Sequence, residues 1–134
     1  MAATATQQII NDGPRRLTLK YTIAGTTGDI SNSILVNISG FNDANGVALG
    51  ANGLTLIGID ASLTGFSAAL LWDATANVNL LEIPSDQPFK QDFSKFGGIK
   101  DNSGAGSTGD VLITTTGYTA SGDGGHIYLK FKKT

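Results

Sequence analysis

The chain is predicted to fold as an all-β, antiparallel β-sandwich of jelly-roll type, with seven to nine short strands and at most one short helix. Three observations predict it. Hydrophobic residues alternate with period two along most apolar stretches, as in strands with one buried face. Eighteen Gly in 134 residues punctuate those stretches with turns. No amphipathic helix separates one strand from the next, so the parallel βαβ arrangement is excluded.

Taken in order, Thr6–Ile10 is a candidate first strand within an extended N-terminal arm, residues 1–11. In Arg15–Ala24, Leu17, Leu19, Tyr21 and Ile23 share one face, opposite Arg16, Thr18, Lys20 and Thr22. Ser33–Ser39 turns Ile34, Val36 and Ile38 inward. Leu54–Leu63 puts Ile57, Ile59, Ala61 and Leu63 on one face, with Leu54, Leu56 and Asp60 on the other. Ser67–Trp72 and Ala76–Ile83 read as a hairpin around Asp73-Ala74-Thr75, with Trp72 in the core. Phe89, Phe93 and Phe96 recur at helical spacing between Pro88 and Gly97-Gly98, which predicts a short helix carrying all three on one face. Val111–Thr116 and His126–Lys132 close the sheets, the latter alternating Ile127, Leu129 and Phe131 with Tyr128, Lys130 and Lys132. Long connections remain at Gly40–Gly53, Ser85–Asp110 and Thr116–Gly125; of these, Ser85–Asp110 is the best candidate for an interaction surface. Ala24–Asp29 and Ala105–Asp110 match at five of six positions, an echo that two equivalent corners, or turn chemistry alone, would produce.

A chain of this length supports one domain, residues 1–134, with one core. Charged residues make up 15%, against roughly 25% in ordinary soluble domains, so the surface is built from Thr, Ser, Asn and Gly. The net charge of −2 argues against non-specific nucleic-acid binding. Lys130, Lys132 and Lys133 form the one basic cluster and read as a solvated strand end. No stretch reaches the ~20 apolar residues of a membrane span. The N-terminus lacks the pattern of a signal peptide, which predicts use without Sec export. With no Cys, thiol chemistry and disulfides are excluded.

Candidate chemistry is sparse, and no catalytic, cofactor-binding or metal-binding residue is assigned. His126, the one histidine, has no nucleophile motif beside it and reads as a turn or surface residue. Glu82 is the one glutamate, and nothing places it across a cleft from an Asp. Asn42-Asp43-Ala44-Asn45-Gly46 offers oxygen ligands of the kind calcium takes, but lacks a closing acid, and Asx turns account for the same residues. The run Asn102-Ser103-Gly104-Ala105-Gly106 is glycine-rich without the Lys-Ser/Thr or the helix that a phosphate loop needs.

Leu70-Leu71-Trp72-Asp73-Ala74-Thr75, Phe93-Ser94-Lys95-Phe96-Gly97-Gly98-Ile99 and Gly104–Leu112, together with an early Asp12-Gly13-Pro14-Arg15 and a basic last strand, resemble small virion proteins of tailed bacteriophages. That resemblance implies a non-enzymatic structural role: capsid decoration (cement), or a neck or tail accessory. It implies major capsid or other virion proteins as partners, a homotrimer, and assembly into the virion in the host bacterial cytoplasm; the charge balance and the lack of an apolar span add the expectation of no nucleic-acid or membrane partner. Interaction residues expected on this reading are Ile9 and Ile10 of the arm, with Phe89, Phe93 and Phe96. The alternative is a carbohydrate-binding module using an exposed Tyr118 or Tyr128 beside a polar concavity. A hydrolase lacks its nucleophile and base.

Overall fold

The computed structural model describes residues 3–25, 27–50, 53–101, 104–120 and 122–133. Met1 and Ala2 of the expected arm, Thr26 of the echo, and Asn102 and Ser103 of the glycine-rich run lie outside the described residues. The described residues form ten strands in two antiparallel sheets: β1 (Thr4–Asp12), β2 (Arg16–Ala24), β3 (Ser33–Val36), β4 (Leu54–Thr64), β5 (Ser67–Trp72), β6 (Val78–Ile83), β7 (Pro88–Asp92), β8 (Ile99–Lys100), β9 (Val111–Thr116) and β10 (Gly124–Lys133). The larger sheet runs β1-β2-β10-β4-β7, with β8 also on β4; the smaller runs β3-β9-β5-β6. The sandwich is as expected, with one strand more than the expected range and two 3-10 turns in place of a helix.

Alternation builds the core. Leu17, Leu19, Tyr21 and Ile23 of β2, and Ile127, Leu129 and Phe131 of β10, are all buried, facing Ala68, Leu70, Trp72, Val111 and Ile113 from the smaller sheet. At about 25 cal/mol per Å² of apolar surface, each such large side chain contributes about 1.5–3 kcal/mol. The β5–β6 hairpin forms as read, paired from Ala68↔Ile83 to Trp72↔Val78 with one slip that skips Leu80. Trp72 is a core residue, and its indole N–H has no partner among the described residues.

Two parity assignments are corrected. Ile34, expected inward, is 57% exposed while Leu35 is buried, because the β3–β9 register slips between Ile34 and Val36. Leu54 and Leu56 point inward together with Ile59, Ala61 and Leu63, although strict alternation puts the two sets on opposite faces. The register explains it: Lys130 opposes Gly58 while the next residue, Phe131, opposes Leu56. Ile57 is therefore an extra residue, a β-bulge that resets the alternation.

The same bulge removes the expected phenylalanine helix. Along β4's other flank, β7 pairs up to Asp92↔Gly58 and β8 resumes at Ile99↔Leu56. Between them the chain swings out around Ile57, whose carbonyl accepts the Phe93 N–H at 2.8 Å. Ser94–Phe96 makes one 3-10 turn, stopped by Gly97 at φ +90°. A Cβ at Gly98 would lie 2.6 Å from Thr55 Cγ2 and 2.8 Å from Leu56 O, so the return to the sheet requires glycine there. Extended pairing with β4 thus wins over the helical spacing of the three rings.

The echoed corners occupy equivalent places. Asp29 precedes β3 and accepts the N–H of Tyr118, just past the end of β9, at 2.9 Å. Asp110 precedes β9 and accepts the N–H of Ile38, just past the end of β3, at 2.8 Å. Each Thr-Gly-Asp turn therefore caps the neighbouring antiparallel strand from opposite ends of one ladder, with Gly28 and Gly109 both at positive φ.

Candidate functional site

The residues expected to make contacts are split between the two edges of the larger sheet. Ile9 and Ile10 lie on β1, which forms one edge, and Phe89 lies on β7 at the other. Ile9 and Ile10 are half exposed, at 52% and 50%, and Phe96 is the most exposed ring at 69%. Phe89 and Phe93 are half-buried and pack against the core, with Phe93 edge-on to Phe96 at 5.9 Å between centroids. The segment expected as a free arm is paired along β2 from Thr4↔Ala24 to Asp12↔Leu17.

The β1 edge has an unusual composition. Thr4-Ala5-Thr6-Gln7-Gln8-Ile9-Ile10-Asn11 contains no Lys, Arg, Asp, Glu or Pro, the residues that normally stop an edge strand from pairing with another chain. Between β1 and the edge strand β3 of the other sheet runs a groove of about 330 Å³, lined among others by Ile9, Tyr21, Ile34, Leu35 and Phe41. Ile34 is 57% exposed. Gln7 reaches into this side and donates to the Tyr21 hydroxyl at 2.9 Å. Burial pushes the Tyr21 phenol well above its ordinary pKa, an effect the Gln7 hydrogen bond partly opposes.

No protein-family model matches the chain, and no curated protein matches it at a significant level.

The aromatic residues expected to bind sugar separate. Tyr118 is 1% exposed and belongs to the core. Its ring tilts onto Phe66 at 4.9 Å, and its hydroxyl lies 2.7 Å from Asp123 O, to which it donates. Burial of an uncharged ring with a satisfied hydroxyl removes it from any surface. Tyr128 sits on the outward side of β10, edge-on to His126 at 5.4 Å and 5.8 Å from the Lys20 ammonium. His126 thus braces an aromatic ring.

The remaining candidates resolve into structure. Asp43 Oδ1 accepts the N–H groups of Asn45 (2.8 Å) and Val47 (3.0 Å), so the Asn42–Gly46 loop is closed by its own Asx turn. Among the described residues no group of three His, Cys, Asp or Glu is placed to hold a metal. Asp86 and Asp92 are held below the usual carboxylate range. In Asp86 the cause is the Gly65 N–H and then the Ser85 hydroxyl; in Asp92 it is the Ser94 hydroxyl and then the Ser94 N–H. Of the basic cluster, Lys130 and Lys132 are exposed as read, whereas Lys133 turns inward and pairs with Asp12.

A feature not anticipated from sequence lies on the outer face of the larger sheet. At Gly58 no side chain fills the row between Lys130 and Asp92, leaving a hollow of about 260 Å³. A glycine inside a strand run is a recognised sign of a bulge or a close approach; that signal was present in Ile57-Gly58-Ile59.

Proposed function

We propose that the chain is a non-enzymatic structural protein of a tailed-bacteriophage virion, decorating and stabilising the capsid by bridging shell subunits. The observation that carries this reading is the open β1/β3 side of the sandwich. There an edge strand uncharged from Thr4 to Asn11, and unpaired along its outer margin among the described residues, lies beside a groove flanked by exposed Ile9 and Ile34. Free edge N–H and C=O groups supply main-chain hydrogen bonds to an extended segment, and alternate apolar side chains of that segment enter the groove. The sequence resemblance supplies the setting: the shared motif Leu70–Thr75 ends β5 in the core and opens its turn, while Phe93–Ile99 forms the excursion around the bulge. Such segments maintain the scaffold. Three copies in a ring would give the homotrimer, each presenting the same edge to the shell.

The test is mass spectrometry of purified virions of the phage that encodes the chain, with light scattering of the free protein. The chain should be present in many copies per particle, and Ile9→Lys with Ile34→Lys should remove it from the particle without altering thermal unfolding, because both side chains are exposed. Absence of the wild-type chain from the virion refutes the assignment. A strict monomer in solution refutes the free trimer while leaving assembly on the shell intact.

A further inference from the structure

We infer that the hollow over Gly58, with the Tyr128 ring beside it, binds one residue of an acidic saccharide. The site is separate from the β1/β3 side and does not depend on the virion assignment. Strand register fixes its layout. Tyr128 lies directly opposite Lys20 on one side and Asp60 on the other, and Asp60 in turn opposes Lys90. In the adjacent row Lys130 opposes Gly58, which opposes Asp92. The hollow between these rows is lined by Arg16, Asp60, Lys90, Asp92, Ser94 and Lys130.

Four features define the ligand. First, Arg16, Lys90 and Lys130 face two carboxylates, Asp60 and Asp92, leaving one surplus positive charge. Among the described residues the one ion pair is Lys133–Asp12, so none of these three cations is neutralised by direct pairing. Second, Asp60 and Asp92 call for hydroxyl donors; a ligand made only of anionic oxygens would repel them. Third, the Tyr128 ring stands beside the hollow through its partner Asp60, braced edge-on by His126 and with the Lys20 ammonium over one side at 5.8 Å, and its remaining surface is offered to the C–H face of a pyranose. Fourth, about 260 Å³ falls just below the ~300–1,000 Å³ range of pockets for drug-sized ligands, so one sugar ring fills it. A uronic acid residue combines one carboxylate, several hydroxyls and an apolar face in that volume. Phosphate lacks the apolar face. A nucleotide brings a base that the single ring can stack, but its phosphate meets the two carboxylates.

The experiment is an amide chemical-shift titration of the full chain with tetragalacturonate, tetramannuronate and a hyaluronan tetrasaccharide. Maltotetraose, inorganic phosphate and oligothymidylate serve as comparisons. At least one acidic oligosaccharide should shift the amides of Gly58, Asp60, Lys90 and Tyr128 at millimolar concentration, and bind at least about tenfold more tightly than maltotetraose. Tyr128→Ala should weaken it at least about tenfold, and Lys90→Gln with Lys130→Gln should abolish the preference for acid over neutral sugar. Gly58→Val places a side chain in the hollow, its Cβ no nearer than 3.5 Å to Lys130 Cδ, and, with the fold checked by unshifted amides elsewhere in the sheets, should block binding. If Tyr128→Ala fails to fold, Gly58→Val and the lysine variants still decide. No shift with any acidic oligosaccharide, equal binding of maltotetraose, the same shifts from phosphate alone, tighter binding of oligothymidylate, or undiminished binding by Gly58→Val each overturns the proposal.

Discussion

Removing Asp12 and removing its partner Lys133 should have different consequences, although each deletes the same ion pair. The Lys133 side chain is 4% exposed, bonded to the Asp12 carboxylate and, at 2.8 Å, to the Asn42 carbonyl. At an effective dielectric of about 20 the gross attraction of such a pair is about 4–5 kcal/mol. Taking the ammonium out of water costs several kcal/mol, so the intact pair is close to neutral. Asp12→Ala leaves that desolvation uncompensated. Breaking a fully buried pair costs about 3–5 kcal/mol, but the Asp12 side chain is 39% exposed, and solvent screening lowers the expectation to about 2 kcal/mol. Lys133→Met keeps the aliphatic length and deletes the charge, and should fall within about 1 kcal/mol of wild type. Urea unfolding of wild type, both single variants and the double variant gives the cycle. Asp12→Ala should cost about 2 kcal/mol alone and under about 0.5 kcal/mol in the Lys133→Met background. Equal cost in both backgrounds would refute the reasoning.

Further perturbations probe other parts of the fold. Tyr118→Phe leaves the Asp123 carbonyl without its buried donor and should cost about 1–2 kcal/mol in urea unfolding, with no change in the β-sheet circular dichroism; an unchanged midpoint would show that the hydroxyl bond contributes nothing. Gly125→Ala places a Cβ 2.3 Å from Ser62 O and 2.9 Å from Leu63 Cα; it should separate β10 from β4 and lower the melting temperature by more than about 10 °C, and a wild-type melting curve would contradict the packing. Stability should also vary with pH at both extremes. Asp86 and Asp92 have folded pKa values below their unfolded ones, so their contribution is present above about pH 4 and fades as pH falls. Tyr21 has a folded pKa above its unfolded value, so its contribution is full below about pH 10 and is lost as pH rises. Tyr21→Phe should flatten the alkaline limb of the urea midpoint against pH, and an unchanged limb would assign that limb elsewhere.

What could be read from sequence was what depends on nearest neighbours along the chain. The inward faces of β2 and β10 follow from alternation alone, and the β5–β6 hairpin from its turn residues. Partner strands decided the rest. The phenylalanines at 89, 93 and 96 carry helical spacing, yet the free edge of β4 captures Phe89 as strand and the bulge at Ile57 throws Phe96 outward. Tyr118 and Tyr128 look equivalent in sequence, and only the third dimension buries one against Phe66 and leaves the other at the surface. The hollow was hidden for the same reason: its side chains come from β2, β10, β4, β7 and the 3-10 turn after β7, as many as 114 positions apart between Arg16 and Lys130. The one local trace it left was a glycine inside an apolar run.

The extra residue in β4 separates what the core needs from what the sheet edge needs. Deleting Ile57 would restore strict alternation: Lys130 and Phe131 already oppose Gly58 and Leu56 in direct succession, so Leu54, Leu56, Ile59, Ala61 and Leu63 would all still face inward and Gly58 would keep its row. What the deletion would remove is the carbonyl that holds Phe93, and with it the anchor of the excursion between β7 and β8. A deletion between Ile59 and Leu63 would instead turn part of the apolar face to water. The bulge is therefore dispensable to the core, and the shape it gives the outer edge can change without loss of the fold.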